Sequence, residues 1–417
     1  MSHPSAELST LGTATDGVRA KREPATRSAR GATLAAALVA ARLALLLLPL
    51  LLAEAHALPA RTGRVVIPDA TRYQQVLTHP GRPYRDFPVE YPPALLGAAR
   101  VLHGSTVVGT LVRLGFFSLV LDVGVAWLLW VGWGRDTALA YLVLGLPLAF
   151  FVYFRLDLLS VALALLGMWL IRRRREVAGG VGLALASFTK IWPLALVPLL
   201  AARRRWRGAV VAAGSIAVGL VLWVAWGGPH GPTQVLTLRG ATGWQVEGFV
   251  GSIQWALFGA TPRFELGALR VGHVSTPAAV LSLLAGLAVL AVVYVRSSRT
   301  SASTEGIPAL AATTTLVLVA PVLSPQYLCW LLPWAAISTG LRDRALLAAV
   351  GFVTFLTGAM WWLPRGSDAV FKAAVLARNG GLVLMLGMCL MRLWRRESPA
   401  EPEGASLVPV QVRGTYT

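Results

Sequence analysis

The chain has 417 residues, of which 56% are hydrophobic and 14% charged; an ordinary soluble domain carries about 25% charged residues. That deficit excludes a disordered chain, a coiled coil and a soluble nucleic-acid-binding globule, and two cysteines exclude a disulfide scaffold or a cysteine zinc cluster. The formal net charge of +19 comes mainly in short basic clusters between apolar runs, which is the positive-inside pattern of cytoplasmic loops rather than a phosphate-binding surface.

Residues 1–32 are polar, without apolar periodicity, and read as a disordered cytoplasmic tail. The apolar run 33–53 is long enough to span a bilayer. Ala55-His56-Ala57 faintly resembles a signal-peptidase site, but the apolar run is too long for a usual signal peptide, so an uncleaved anchor is expected. A polar, proline-rich loop at 54–106 follows and falls outside. Spans are predicted at 107–131, 137–154 and 156–171, the last ending in Arg172 to Arg175.

The stretch 178–201 has arginine clusters on both flanks, so an even number of crossings fits the charge rule. Two short helices meeting near Thr189-Lys190-Ile191-Trp192-Pro193 satisfy it, because proline disfavours helix at the residue before it. One long helix that violates the charge rule is the alternative. A span at 208–226 leads to a second outer loop, 227–275, whose apolar patch Phe249 to Phe258 reads as a re-entrant or interfacial helix. Spans at 277–295, 307–323, 327–340, 345–363 and 371–391 complete the path, with a disordered cytoplasmic tail at 396–417. The fold class is therefore all-α: one polytopic transmembrane domain at 33–395, with about ten full transmembrane helices, a broken hairpin and two long extracytoplasmic loops.

Charges in or beside apolar spans are costly and tend to be functional. Four groups share the outer side on this topology. The first loop carries Asp69, Arg72 and Tyr73, then Gly81 to Pro93 with Tyr84, Asp86, Glu90 and Tyr91. Its prolines suit a stiff binding edge, and its composition also suits a solvated loop with surface ion pairs. Arg155 and Asp157 open a span, two residues apart and so on different helix faces; Arg155 also suits simple snorkelling. Lys190 stands at the proposed break and needs a partner or an anion; with a helix N-terminus beside it, it would suit phosphate. The second loop holds Arg239 to Gly248, in which Trp244, Gln245 and Glu247 suit stacking on a sugar and bonding to it. A tryptophan at the membrane interface is the plainer alternative there. Asp122, in mid-span, reads as a structural residue paired with Arg113 or a neighbouring helix. No histidine pair has metal-ligand spacing, and no phosphate loop, HExxH or GxSxG occurs.

Taken in order, Asp69, Tyr73, Gly81 to Tyr84 and Tyr91-Pro92-Pro93 resemble the first outer loop of C-type membrane glycosyltransferases. Arg155-Leu-Asp157, Thr189-Lys190-Ile-Trp-Pro193, Gln245-Val-Glu247 and Ser324-Pro325-Gln326-Tyr327 are similar to further pieces of glycosyltransferase family 87, the polyprenyl-phosphate-mannose-dependent mannosyltransferases. The matches run from about residue 30 to 345 in the family's order. One departure stands out: where many relatives have Trp and His after the Ser-Pro, this chain has Gln326-Tyr327.

The resemblance implies a multi-pass plasma-membrane enzyme with both termini cytoplasmic and its active site outside. Its partners would be a polyprenyl-phosphate sugar donor, a glycolipid or glycan acceptor and the lipid bilayer, with no nucleic acid. It implies Asp69 as the base that takes the acceptor's proton. Lys190, with Arg155 second, would stabilise the departing phosphate. Tyr73, Tyr84, Asp86, Glu90, Tyr91, Asp157, Trp244, Gln245, Glu247 and Gln326 would shape the donor and acceptor sites, and an apolar groove would hold the lipid tail. The scheme calls for no cofactor and no metal. A transporter or flippase of a lipid-linked sugar, and an inactive scaffold relative, are the rival readings.

Overall fold

The computed structural model describes residues 23–54, 68–237, 243–265, 268–300, 305–360 and 368–395. The C-terminal tail and most of the N-terminal tail lie outside them, as do Arg239 to Thr242 of the second loop. Residues 23–32, read as tail, instead begin the first helix, α1 (Glu23–Glu54).

The chain is an all-α polytopic membrane protein. Five helical stretches among the described residues are long and apolar enough to cross a membrane, and several shorter apolar helices pack among them. After α2 (Pro68–Thr78) and α3 (Pro93–Leu102) comes α4 (Val107–Trp133), whose first turn is capped by the Thr106 side chain accepting from the Gly109 N–H. Next are α5 (Arg135–Gly145), a 3-10 turn at Pro147 and the short α6 (Ala149–Val152), then α7 (Asp157–Arg172).

The segment 178–201 breaks as the charge parity requires. Helix α8 (Glu176–Thr189) ends at Lys190, whose backbone is extended. A 3-10 turn (Trp192–Leu196) and α9 (Val197–Ala202) follow, and then α10 (Trp206–Gly227). Glu176 accepts from the Gly208 N–H and pairs with Arg205 at 3.5 Å, while Phe188 lies against Gly219. Helices α8 and α10 therefore run side by side in the same direction, and the chain between them doubles back. Glycines let α7, α8 and α10 touch at the backbone: a Cβ on Gly179 would lie 2.6 Å from the Gly167 carbonyl, and one on Gly180 2.8 Å from that of Gly208.

Helices α13 (Thr276–Ser297) and α14 (Ile307–Val319) follow the second loop. The predicted spans 307–323 and 327–340 are shorter as helices than expected. Pro321 and Pro325 cannot donate to a helix ladder, so the chain runs extended after α14, then through a 3-10 turn (Pro325–Trp330) into α15 (Leu332–Thr339). Thr313, Thr314 and Thr315 return their hydroxyls to carbonyls four residues back, which satisfies them in an apolar interior. Helices α16 (Arg344–Met360) and α17 (Asp368–Trp394) close the bundle.

The basic clusters gather on one face. Arg172 lies over Trp133, Arg203 donates to the Ser297 carbonyl, Arg296 lies over Trp394 and Arg392 pairs with Asp343. The start of α1 belongs to that face as well, because Arg42 meets Asp122 while Leu46, nearer its far end, meets Gly115.

The second loop lies on the opposite face and holds an unexpected three-stranded antiparallel sheet. Its strands are β1 (Trp244–Gln245), β2 (Arg263–Glu265) and β3 (Ala268–Val271), in the order β1-β3-β2, with Trp244 opposite Val271. The loop opens with the short α11 (Gly231–Thr237), and the expected helix in the apolar patch is α12 (Phe249–Ala256). Trp244, Val246, Trp255, Val271, Met360, Phe371 and Val375 make a small core between this loop and the last two helices.

Candidate active site

The break after Thr189 sets Lys190 free of helix geometry on the face away from the arginine clusters. Its ammonium lies 3.4 Å from Asp157 Oδ1, the first residue of α7, and 5.4 Å from the Tyr327 ring centre. Asp157 is buried and also accepts 3.0 Å from the Trp330 indole N–H. Tyr327 and Trp330 stack at 4.1 Å, and Trp192 stacks with Trp330 at 5.7 Å. Three segments far apart in sequence thus converge: the start of α7, the hairpin break and the 3-10 turn after Ser324. Their proximity follows from three helix interruptions at one depth. The helix end at Lys190 is a C-terminus, so the dipole favours the lysine there and offers nothing to a phosphate; positive charge comes from the side chain alone.

Arg155 donates to the Phe151 carbonyl at 2.9 Å, while its own carbonyl accepts from Ser118. Asp157, two residues on, turns to Lys190; Arg155 stands in the bend before α7, so the two do not share a helix as the sequence suggested. Gln326 is buried, and its Oε1 has no hydrogen-bond partner among the described residues; the same holds for Gln245, whose backbone N–H donates to the Pro321 carbonyl. A buried amide oxygen with no partner is costly and suits an incoming hydroxyl.

The first loop forms a second group. Arg72 grips Glu90 through two hydrogen bonds of 3.1 and 2.9 Å. Tyr73 packs on Tyr91, and the Tyr84 hydroxyl donates to the Tyr91 carbonyl. Tyr84 has a positive φ of 67°, which the loop sustains by wedging its ring against Trp223 and Trp226 and by accepting 2.8 Å from the Gln234 amide. Burial pushes its phenol above the ordinary range. Asp86 is exposed and pairs with Arg82; the Arg82 backbone N–H holds its carboxyl below the usual range. The backbone of Asp69 stands in the first turn of α2, and its side chain lies outside the described part of the structure.

In the second loop, Glu247 meets the fully buried Arg378 of α17 at 3.3 Å, and its carbonyl accepts from Arg378 and Asn379. Trp244 belongs to the small core beneath the sheet and presents no face to solvent. Three buried cations escaped the sequence reading: Arg42, Arg378 and Arg270, the last donating from β3 to the Gly243 carbonyl. Arg42 bonds Asp122 at 2.6 Å and the Leu142 carbonyl at 2.6 Å, while Tyr141 and Tyr153 also donate to Asp122. Asp122 is therefore paired with a neighbouring helix and not with Arg113, which donates to the His103 carbonyl. Arg42 and Arg378 each lie inside an apolar run, and that placement alone could have marked them. Among the described residues there is no group of three His, Cys, Asp or Glu side chains placed to hold a metal ion.

A sequence model of glycosyltransferase family 87 matches residues 88–325. No curated protein matches the chain.

Proposed function

Because the chain belongs to glycosyltransferase family 87 and is a membrane glycosyltransferase, we propose that it moves a hexose from a polyprenyl-phosphate donor to a glycolipid or glycan acceptor of the cell envelope. In this reading the hexose is mannose, the reaction occurs on the extracytoplasmic face of the plasma membrane, and both termini are cytoplasmic. The gathering of the basic clusters on the face away from Lys190 supports that orientation. The observation that carries the reading is the convergence of Asp157, Lys190 and Tyr327 at a break in an intramembrane hairpin, on the side away from the arginine clusters.

The chemistry needs little machinery. Asp69 takes the proton from an acceptor hydroxyl as its oxygen attacks the anomeric carbon. The bond from that carbon to the phosphate oxygen breaks on the opposite face, its electron pair leaves with polyprenyl phosphate, and the configuration inverts. Lys190 stabilises the departing phosphate, with Arg155 second. An ammonium carries three donors, so it can serve Asp157 and a phosphate together. Gln245 and Gln326 accept sugar hydroxyls through their buried amide oxygens. The Tyr327–Trp330 stack offers an aromatic face beside the ammonium. Tyr73, Tyr84, Glu90 and Tyr91 form the acceptor edge, with Asp86 at its outer rim, and Arg378 holds Glu247 toward the site. Trp244 supports the second loop from within its core.

The test is transfer of label from polyprenyl-phosphate mannose to an envelope-lipid extract by the purified protein in lipid. Wild type makes a new labelled glycan and Asp69→Ala makes none. Full activity in Asp69→Ala overturns the base assignment. A relocated donor with no new glycosidic bond would indicate transport instead.

A further inference from the structure

We propose that the basic face carries a built site for the phosphate of an anionic phospholipid, centred on Trp169, Arg173 and Arg175. A cavity of about 430 Å³ opens there and is lined by these three residues. Arg173 lies 5.4 Å over the Trp169 ring, whose indole nitrogen edge packs against Gly132 and leaves the ring as a wall of the cavity. Two guanidinium groups on one cavity are a donor set for a phosphate monoanion.

The backbone is bent toward the same end. Helix α7 stops in a tight turn in which Arg174 adopts a φ of 64°, and α9 stops the same way with Arg204 at 58°. Hydrogen bonds match one for one: Arg174 to Ile171 and Arg175 to Leu170 in the first turn, Arg204 to Ala201 and Arg205 to Leu200 in the second. That left-handed position favours glycine, and arginine fills it twice. The acid that follows Arg175 in the chain, Glu176, is engaged by Arg205 and the Gly208 N–H.

The level of the cavity selects the occupant. Trp133 and Trp394 lie under arginines at the ends of membrane-crossing helices, Trp169 does so near the end of α7, and exposed Trp206 stands beside the second turn. Such a tryptophan belt marks the headgroup layer, where lipid phosphates lie. A lipid from the adjoining leaflet reaches the cavity without leaving the membrane.

The test is native mass spectrometry of the purified protein with equal amounts of phosphatidylglycerol and phosphatidylcholine. Wild type retains phosphatidylglycerol in preference. Arg173→Gln with Arg175→Gln lowers that retention by about fivefold per arginine. Arg342→Gln with Arg344→Gln removes the same charge from the same face and leaves retention unchanged. All these positions are exposed, and elution as a single species confirms folding. Equal loss in both double variants would reduce the effect to bulk charge and overturn the site. Displacement of the lipid by free inorganic phosphate would assign it to a soluble anion, and absence of any preference in wild type would remove it.

Discussion

Asp122 and Asp157 are both buried carboxylates in apolar helices, and each meets a cation from a distant part of the chain. Asp122 is sealed: Arg42, Tyr141 and Tyr153 all donate to it, and the Arg42 side chain is 1% exposed. Asp157 is also buried, but its cation, Lys190, keeps 16% of its side chain exposed at a helix break lined by stacked aromatics. One pair spends its hydrogen bonds on joining helices. The other keeps a charge at an opening, and that is what a reaction at the membrane surface requires.

The largest effect is expected where the pair is sealed. Asp122→Ala leaves the Arg42 guanidinium buried without its carboxylate, at a cost of about 3–5 kcal/mol. It should fail to give monodisperse protein in detergent, or melt far below wild type. Replacing both partners, Arg42→Met with Asp122→Leu, should recover most of the loss. If the single variant melts like wild type, the pair is not a structural tie.

The open pair should behave in the opposite way. Lys190→Gln is expected to lower kcat by about 10²–10³ while its melting temperature falls less than that of Asp122→Ala. An equal fall in stability with retained turnover would erase the distinction between the two aspartates.

A smaller effect tests whether Arg378 acts through Glu247. Arg378→Lys cannot reproduce the bonds to both Glu247 and Asn379. It should raise KM severalfold with a lesser change in kcat, and Arg378→Ala should go further, at about 1.5–3 kcal/mol per lost charged hydrogen bond. A fall in kcat at unchanged KM would mean that Glu247 is not held for binding.

How much of this was legible depends on what each feature rests on. The spans follow from apolar runs, and the hairpin follows from counting crossings between Arg175 and Arg203, with Pro193 marking the break. The sheet was not legible, since strands of two to four residues leave no periodicity and pair across intervals that no pattern announces. The partners of Asp122 and Glu247 were missed for a different reason. Arg42 and Arg378 were absorbed into apolar runs, though a lone cation in such a run demands an anion. At the candidate site, Lys190 and Asp157 stood out separately as unexplained charges. Their pairing needed the fold, because 33 positions of chain and a helix turn separate them.

The smallest effect lies away from both aspartates. Glu305 is buried on the basic face, and burial raises its pKa, partly offset by Arg172, Arg205 and Arg203. An acid whose pKa is higher in the folded state loses stability as pH rises from its unfolded value through its folded one. Glu305→Gln should therefore raise the melting temperature at neutral pH, with the gain vanishing below the ordinary carboxylate range. A gain independent of pH would show that charge is not its cause.

The most direct test of the account is sugar transfer by Lys190→Gln in lipid, beside wild type, with labelled polyprenyl-phosphate hexose. The account predicts a folded protein that makes almost no product. Product formed at the wild-type rate would place the departing phosphate elsewhere and contradict it.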